Sequence, residues 1–153
     1  MSVRPSLAAL AGNWKGNYRL HTLWLPEKTH DSVSACSVEL RVNGQFLAME
    51  YSWEYESKPQ EGVMIIGCDE KSDAVQALWT DSWHMSHKFM ICNGTIDEKG
   101  QVKMKGFYSV PDHPDWGWRT EIIPETNLLQ ILMYNVSPEG DEDIAVESSY
   151  SRE

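Results

Sequence analysis

The chain has 153 residues, enough for one domain at about 100–200 residues per domain. Its 23 Asp and Glu outweigh 13 Lys and Arg, leaving a net charge of −10 at pH 7. A surface of that sign repels phosphate backbones and anionic headgroups, which excludes charge-driven binding to nucleic acid or to a membrane.

At the N-terminus, Leu7-Ala8-Ala9-Leu10-Ala11 is briefer than the roughly 7–15 apolar residues of a signal-peptide core. With Pro5 near its start and Gly12 ending it, the segment Arg4 to Ala11 instead predicts one helical turn, so residues 1–11 read as a plug. Gly12-Asn13-Trp14 then opens a first strand. Cys36, Val38, Leu40 and Val42 alternate with Ser37, Glu39 and Arg41. From Phe46 to Glu56, Leu47, Met49, Tyr51, Trp53 and Tyr55 alternate with small or acidic residues. Period two of this kind marks a half-buried strand. The two runs meet at Asn43-Gly44, whose residues tolerate positive φ and predict a type I′ hairpin.

The pattern continues through Gly62 to Cys68 and Ala74 to Trp83, where Val75, Ala77, Trp79, Asp81 and Trp83 share a face. Lys88 to Ile96 turns at Asp97-Glu98-Lys99-Gly100 into Gln101 to Val110. Trp118 to Ile123, Leu128 to Val136 and Ile144 to Arg152 complete the set. About ten strands joined by tight turns, with no alternating helices, predict an all-β antiparallel meander. Closing it into an up-and-down barrel removes two long edges. The expected fold is one barrel domain over residues 1–153.

No apolar run approaches the roughly 18 residues of a membrane helix. Cys36, Cys68 and Cys92 are distant and lack CxxC spacing, which suits reduced, buried thiols rather than disulfides or zinc. The Asn93-Gly94-Thr95 sequon is read as coincidence. These features together predict a cytoplasmic protein.

Leu10-Ala11-Gly12-Asn13-Trp14-Lys15-Gly16, Tyr51-Ser52-Trp53, Trp79-Thr80-Asp81-Ser82-Trp83-His84, Trp116-Gly117-Trp118-Arg119 and Met133-Tyr134-Asn135-Val136 occur in order. Gly12-Asn13-Trp14 is similar to the Gly-x-Trp signature of lipocalins. The whole set resembles a bacterial family known as domain of unknown function 1579. That resemblance implies a lipocalin-like or fatty-acid-binding-protein-like barrel along nearly the whole chain, and it implies no reaction or ligand.

Seven Trp against three Phe is an unusual balance, and the indoles cluster where chemistry is to be sought. If Trp79 faces inward, period two places Asp81 and Trp83 inward too. Asp81 then either anchors a ligand in an aromatic pocket or caps the loop after its strand, binding N–H groups near Trp83 to Ser86. His84 and His87, with His113 from another loop, are candidates for a metal or for a haem iron, although no zinc spacing is matched. Pro111, Pro114, Trp116 and Arg119 suggest a lid over the entrance, or a corner in which Arg119 pairs with Asp81 or Asp115. Arg152 is expected to pack over Trp14 and to close the barrel, outside any cavity.

No nucleophile elbow, phosphate loop or His-Glu-x-x-His occurs, so nothing marks a catalytic residue. The leading expectation is a barrel that binds an apolar or amphipathic small molecule. Trp14, Tyr51, Trp53, Trp79, Trp83 and Trp118 would line it, with Asp81, His84 and Arg119 fixing orientation. The alternatives are an enzyme or a haem or metal site using Asp81, His84 and His87, or a filled barrel acting through a partner or homodimer surface.

Overall fold

In chain order, α1 (Pro5–Ala8) precedes ten strands: β1 (Gly12–His21), β2 (Thr29–Arg41), β3 (Phe46–Tyr55), β4 (Lys58–Cys68) and β5 (Ala74–Asp81), then β6 (Met90–Ile96), β7 (Val102–Val110), β8 (His113–Glu125), β9 (Leu128–Val136) and β10 (Glu142–Arg152). The computed structural model describes residues 3–153, so the first two residues of the expected plug lie outside the described residues. Each strand pairs antiparallel with the next, and β10 returns to β1 to close the barrel. Closure leaves no sheet edge at the ends of the meander, which is why alternation can run through every strand.

The β2–β3 turn has Asn43 at φ 56° and Gly44 at φ 78°, with the Gln45 N–H donating to the Val42 carbonyl over 3.1 Å. Asn43 and Gly44 thus take the positive φ of a type I′ turn, but Val42 is left-handed too (φ 52°) and the last pair is Arg41↔Phe46, so the loop is four residues long rather than a two-residue hairpin. The expected lid at Pro111–Arg119 is absent. Val110 pairs with His113, so Pro111 and Asp112 form a two-residue turn and β8 already starts at His113. Pro111 presets the first turn position, Asp112 takes φ 61°, and Pro114 is tolerated next to the strand's irregular start.

The two ends of the barrel differ. At one, Leu7 and Leu10 are buried under α1, and the Trp14 Nε1–H donates to the Leu10 carbonyl over 2.9 Å. Arg152 lies over the Trp14 ring at 4.3 Å and donates to the carbonyls of Ala11 (2.9 Å) and Ala9 (2.8 Å). One guanidinium thereby ties the last strand to the plug and satisfies carbonyls that a short helical turn leaves orphaned. Arg152→Ala is expected to lower stability by about 1 kcal/mol, the scale of one exposed cation–π contact with charge-assisted bonds. Urea unfolding followed by Trp fluorescence would measure it, and an unchanged midpoint would refute this role.

Behind the plug the barrel is filled. Tyr18, Met49, Tyr51, Met64, Met133 and Tyr150 leave only about 10 Å³ between them, near the lower limit for one water. Tyr18 stacks on Trp53 with centroids 4.3 Å apart. Each such buried side chain contributes on the order of 1.5–3 kcal/mol, so this half is the stabilising core. All three cysteines are free and buried, and burial pushes the Cys36 thiol up to about 12 and the Cys92 thiol to about 11. At neutral pH they are protonated packing groups.

Candidate functional site

The opposite end of the barrel is built around Asp81, the last residue of β5, which is 1 % exposed. Its Oδ1 accepts the backbone N–H groups of Trp83 (2.9 Å) and His84 (3.0 Å), and the Met85 N–H returns to the Asp81 carbonyl (2.8 Å). Its Oδ2 accepts the Tyr51 O–H (2.7 Å) and the Trp53 Nε1–H (3.2 Å), while the Tyr51 oxygen accepts from Trp79 Nε1 (3.0 Å). Burial alone would raise the Asp81 pKa, but the contacts with His84, the Tyr51 hydroxyl and the His84 N–H together hold it below the ordinary carboxylate value. The same charge, added to burial, pushes the Tyr51 phenol well above its ordinary value. Asp81 is thus the loop cap of the two sequence readings. Four donors occupy its oxygens, so it has no free acceptor to offer a ligand.

The turn that Asp81 fixes carries His84 back over the barrel. Its imidazole is 9 % exposed and is surrounded by Trp83 (4.8 Å between centroids), Trp118 (5.2 Å), Trp53 (5.8 Å) and Trp79 (5.8 Å). Trp79 and Trp118 stack on each other at 5.1 Å. Nδ1 comes within 3.2 Å of Asp81 Oδ1, the contact through which His84 helps to hold that carboxyl down. Nε2 is buried without a hydrogen-bond partner, and so is Trp118 Nε1. Buried polar atoms almost always find partners, so two orphans on one wall call for an explanation.

That wall faces open space. Two lobes of about 540 and 650 Å³ meet over Trp24, Trp83, His84, Tyr108, Trp118 and Asn135, which border both. His113 and Trp116 extend the first lobe, and His87 and Lys88 the second. The Tyr108 O–H donates to Asn135 Oδ1 over 2.6 Å, which stiffens the rim. Spaces of this size, concave and aromatic with a few polar atoms, are typical of small-molecule sites.

The sequence-predicted residues fall into three groups. Trp83, His84 and Trp118 line both lobes, and Trp79 lines the second. Tyr51, Trp53 and Asp81 stand in the layer behind them. Trp14 is at the plugged end and Arg119 is on the outer wall, so neither belongs to the cavity. Arg119 pairs with Glu142 (2.8 Å) and Glu121 (2.9 Å) and lies over the Tyr134 ring, rather than meeting Asp81 or Asp115. Strand parity is the reason: Trp118 and Thr120 are buried inward, so Arg119 between them must point out. Those partners raise the guanidinium pKa further, and Arg119 holds Glu142 below its ordinary value. His84, His87 and His113 border the space separately. Among the described residues no three His, Cys, Asp or Glu side chains converge to hold a metal ion.

Trp24 was not foreseen. It is 67 % exposed in the β1–β2 loop and borders both lobes. The signal was available in Leu23-Trp24-Leu25, an apolar triplet followed by Pro26 in a loop that runs from Thr22 to Lys28. Thr22 anchors that loop, donating to the Glu27 carbonyl over 2.7 Å and touching His30 Nε2 at 2.9 Å.

A closed antiparallel barrel, plugged at one end and open at an aromatic mouth, has the architecture of the ligand-binding barrels. The chain belongs to the protein family of unknown function DUF1579, matched over residues 2–152. Among solved structures it is similar to Rv2717c from M. tuberculosis, with a TM-score of 0.69 and 12 % identity over 99 % of each chain. It is also similar to the S-type phycobiliprotein lyase CPES from Guillardia theta, with a TM-score of 0.62 and 14 % identity over 100 % of this chain and 93 % of that one. At such identities the likeness shows the fold alone. No curated protein matches the chain. No helix among the described residues is long and apolar enough to cross a membrane.

Proposed function

We propose that the protein binds a flat, aromatic or amphipathic small molecule at the barrel mouth, stacked among Trp24, Trp83 and Trp118 and hydrogen-bonded by His84. The observation that carries this reading is the orphaned imidazole nitrogen. A histidine enclosed by four indoles, its Nδ1 on Asp81 and its Nε2 unpartnered, borders a space large enough for a ligand. A filled structural end would pair or replace such a group. Likeness in fold to a phycobiliprotein lyase supports a barrel that receives a ligand, and the three buried, unpaired thiols fit a reducing compartment such as the cytoplasm.

The first test is native mass spectrometry, with an absorbance scan, on protein purified without added ligand. An excess mass that denaturation releases is the expected result. In solution, 8-anilinonaphthalene-1-sulfonate should quench Trp emission as it binds. Trp83→Ala should weaken binding about tenfold through lost stacking area and contacts. A half-buried rim indole is the right target, because its loss spares the filled core. Unchanged affinity in Trp83→Ala would remove the reading.

The free imidazole nitrogen also favours a second reading, a haem held through His84. It requires a Soret band on haem addition that His84→Phe abolishes. A spectrum indifferent to that substitution disposes of it.

A further inference from the structure

The barrel wall is not evenly knit. β6 and β7 pair only from Asn93↔Lys105 to Ile96↔Val102, although β6 begins at Met90 and β7 continues to Val110. At the paired end Gly94 is essential to close approach, since a Cβ there would overlap the Lys103 carbonyl. Past the last rung, the Ile91 carbonyl and the Met90 side chain still lie close over Gly106, where a Cβ would overlap the Met90 sulfur, and together they close the floor of the gap. Above Met90 the ladder is open. The second lobe reaches into this seam between Lys88, Phe89 and Met90 on one side and Phe107, Tyr108 and Ser109 on the other. Phe89 and Phe107, exposed by 63 % and 60 %, flank it.

The seam differs from the rest of the surface in charge as well as in pairing. In a chain with 23 acidic residues, no carboxylate among the described residues lines this lobe, whereas Lys88 and His87 do. Only Asp143 among the acids borders the other lobe. On the outer face near the last rung, Lys105 Nζ stands 5.1 Å from the Phe107 ring centroid, with Glu142 as a neighbouring charge. A locally cationic cleft with low-dielectric aromatic walls concentrates anions even when the protein as a whole repels them. The indoles at the inner end take rings, and the opening at the outer end takes a charged group that must stay hydrated.

We propose that the ligand is a planar aromatic acid whose rings enter the indole box and whose anionic group rests in the unzipped β6–β7 seam against Lys88. This rests on the small-molecule reading above and adds the ligand's charge and direction. The anion is any singly charged oxyacid, carboxylate or sulfonate, because one flexible ammonium group does not discriminate between them.

Two probes with the same rings test it on the full chain. 8-Anilinonaphthalene-1-sulfonate carries the anion, and N-phenyl-1-naphthylamine lacks it. Both are titrated against the wild type, Lys88→Glu and Trp83→Ala by probe emission. Lys88→Glu is expected to weaken the anionic probe about fivefold or more and the neutral probe less than twofold, the scale of a partly exposed charge contact with its reversal. Raising salt on the wild type should shift the ratio of affinities in the same direction. Lys88 is exposed and its carbonyl, which accepts the Thr80 hydroxyl, is unaffected by the change, so the variant should fold. An affinity ratio unmoved by Lys88→Glu overturns the proposal. If Trp83→Ala still weakens both probes in that case, the cavity reading survives alone. If neither probe binds, or Trp83→Ala moves neither, both readings fall.

Discussion

Asp81→Ala is expected to lower the stability of the barrel by about 3–5 kcal/mol, the range seen when one partner of a buried charged network is removed. Two backbone N–H groups, the Tyr51 hydroxyl and the Trp53 indole would all lose their acceptor within a site that water does not reach. At about 2–4 °C per kcal/mol for a chain of this size, the loss amounts to roughly 10 °C in Tm. Asp81→Asn should be nearly as damaging although it keeps the volume. Its NH2 group must face either the two backbone donors or the two side-chain donors, and it can accept from neither pair. The carboxylate also sets an acid limit. Its folded pKa lies below the ordinary value, so its contribution is complete above the unfolded pKa of about 3.9 and is lost as pH falls through the folded one. Urea unfolding at pH 7 and at about pH 3 should therefore show a large wild-type difference that shrinks in Asp81→Asn. A loss under about 1 kcal/mol at pH 7 in both variants would mean that water or a rearranged turn replaces the carboxylate.

Alternation made most of this fold legible. Leu47, Met49, Tyr51 and Trp53 face inward in β3 as their period requires, and so do Val75, Ala77, Trp79 and Asp81 in β5. Leu128–Val136 has the bounds its own apolar run predicts, and Asn127 just before it takes φ 61°. Where the reading failed, one local signal had been weighed without its neighbour. The prolines around His113 suggested a lid, but Pro111 and Asp112 suffice for a two-residue turn, and the strand begins at once. Arg119 was drawn to the mouth by the indole beside it, when that indole's inward position dictates the opposite for Arg119. Trp14 was placed among the other indoles because they are alike in chemistry. Its position next to α1 at the start of β1 puts it one barrel length away. The unzipped seam could not be foreseen, since Met90 to Cys92 alternate as well as any paired segment. Pairing is a property of two strands, and Gly106 shows only that something crosses it closely.

His84→Phe separates a residue kept for packing from one kept for a ligand. Phe fills nearly the same shape and stacks with the same indoles, while removing the buried Nε2 that has no partner. Replacing an unsatisfied polar group by an apolar one of like shape is neutral or stabilising, so the free variant should gain about 1 kcal/mol in urea unfolding. Affinity for 8-anilinonaphthalene-1-sulfonate should fall about tenfold, as expected when a buried hydrogen bond to a ligand is lost. The opposite signs are the diagnostic feature, because a group retained against stability is one that function selects. If the 3.2 Å contact of Nδ1 with Asp81 outweighs the orphaned Nε2, the same substitution strips the carboxylate of a stabilising partner. The variant would then unfold more readily, with a midpoint moving toward that of Asp81→Asn. A destabilised variant that binds the probe as tightly as the wild type would return His84 to the scaffold.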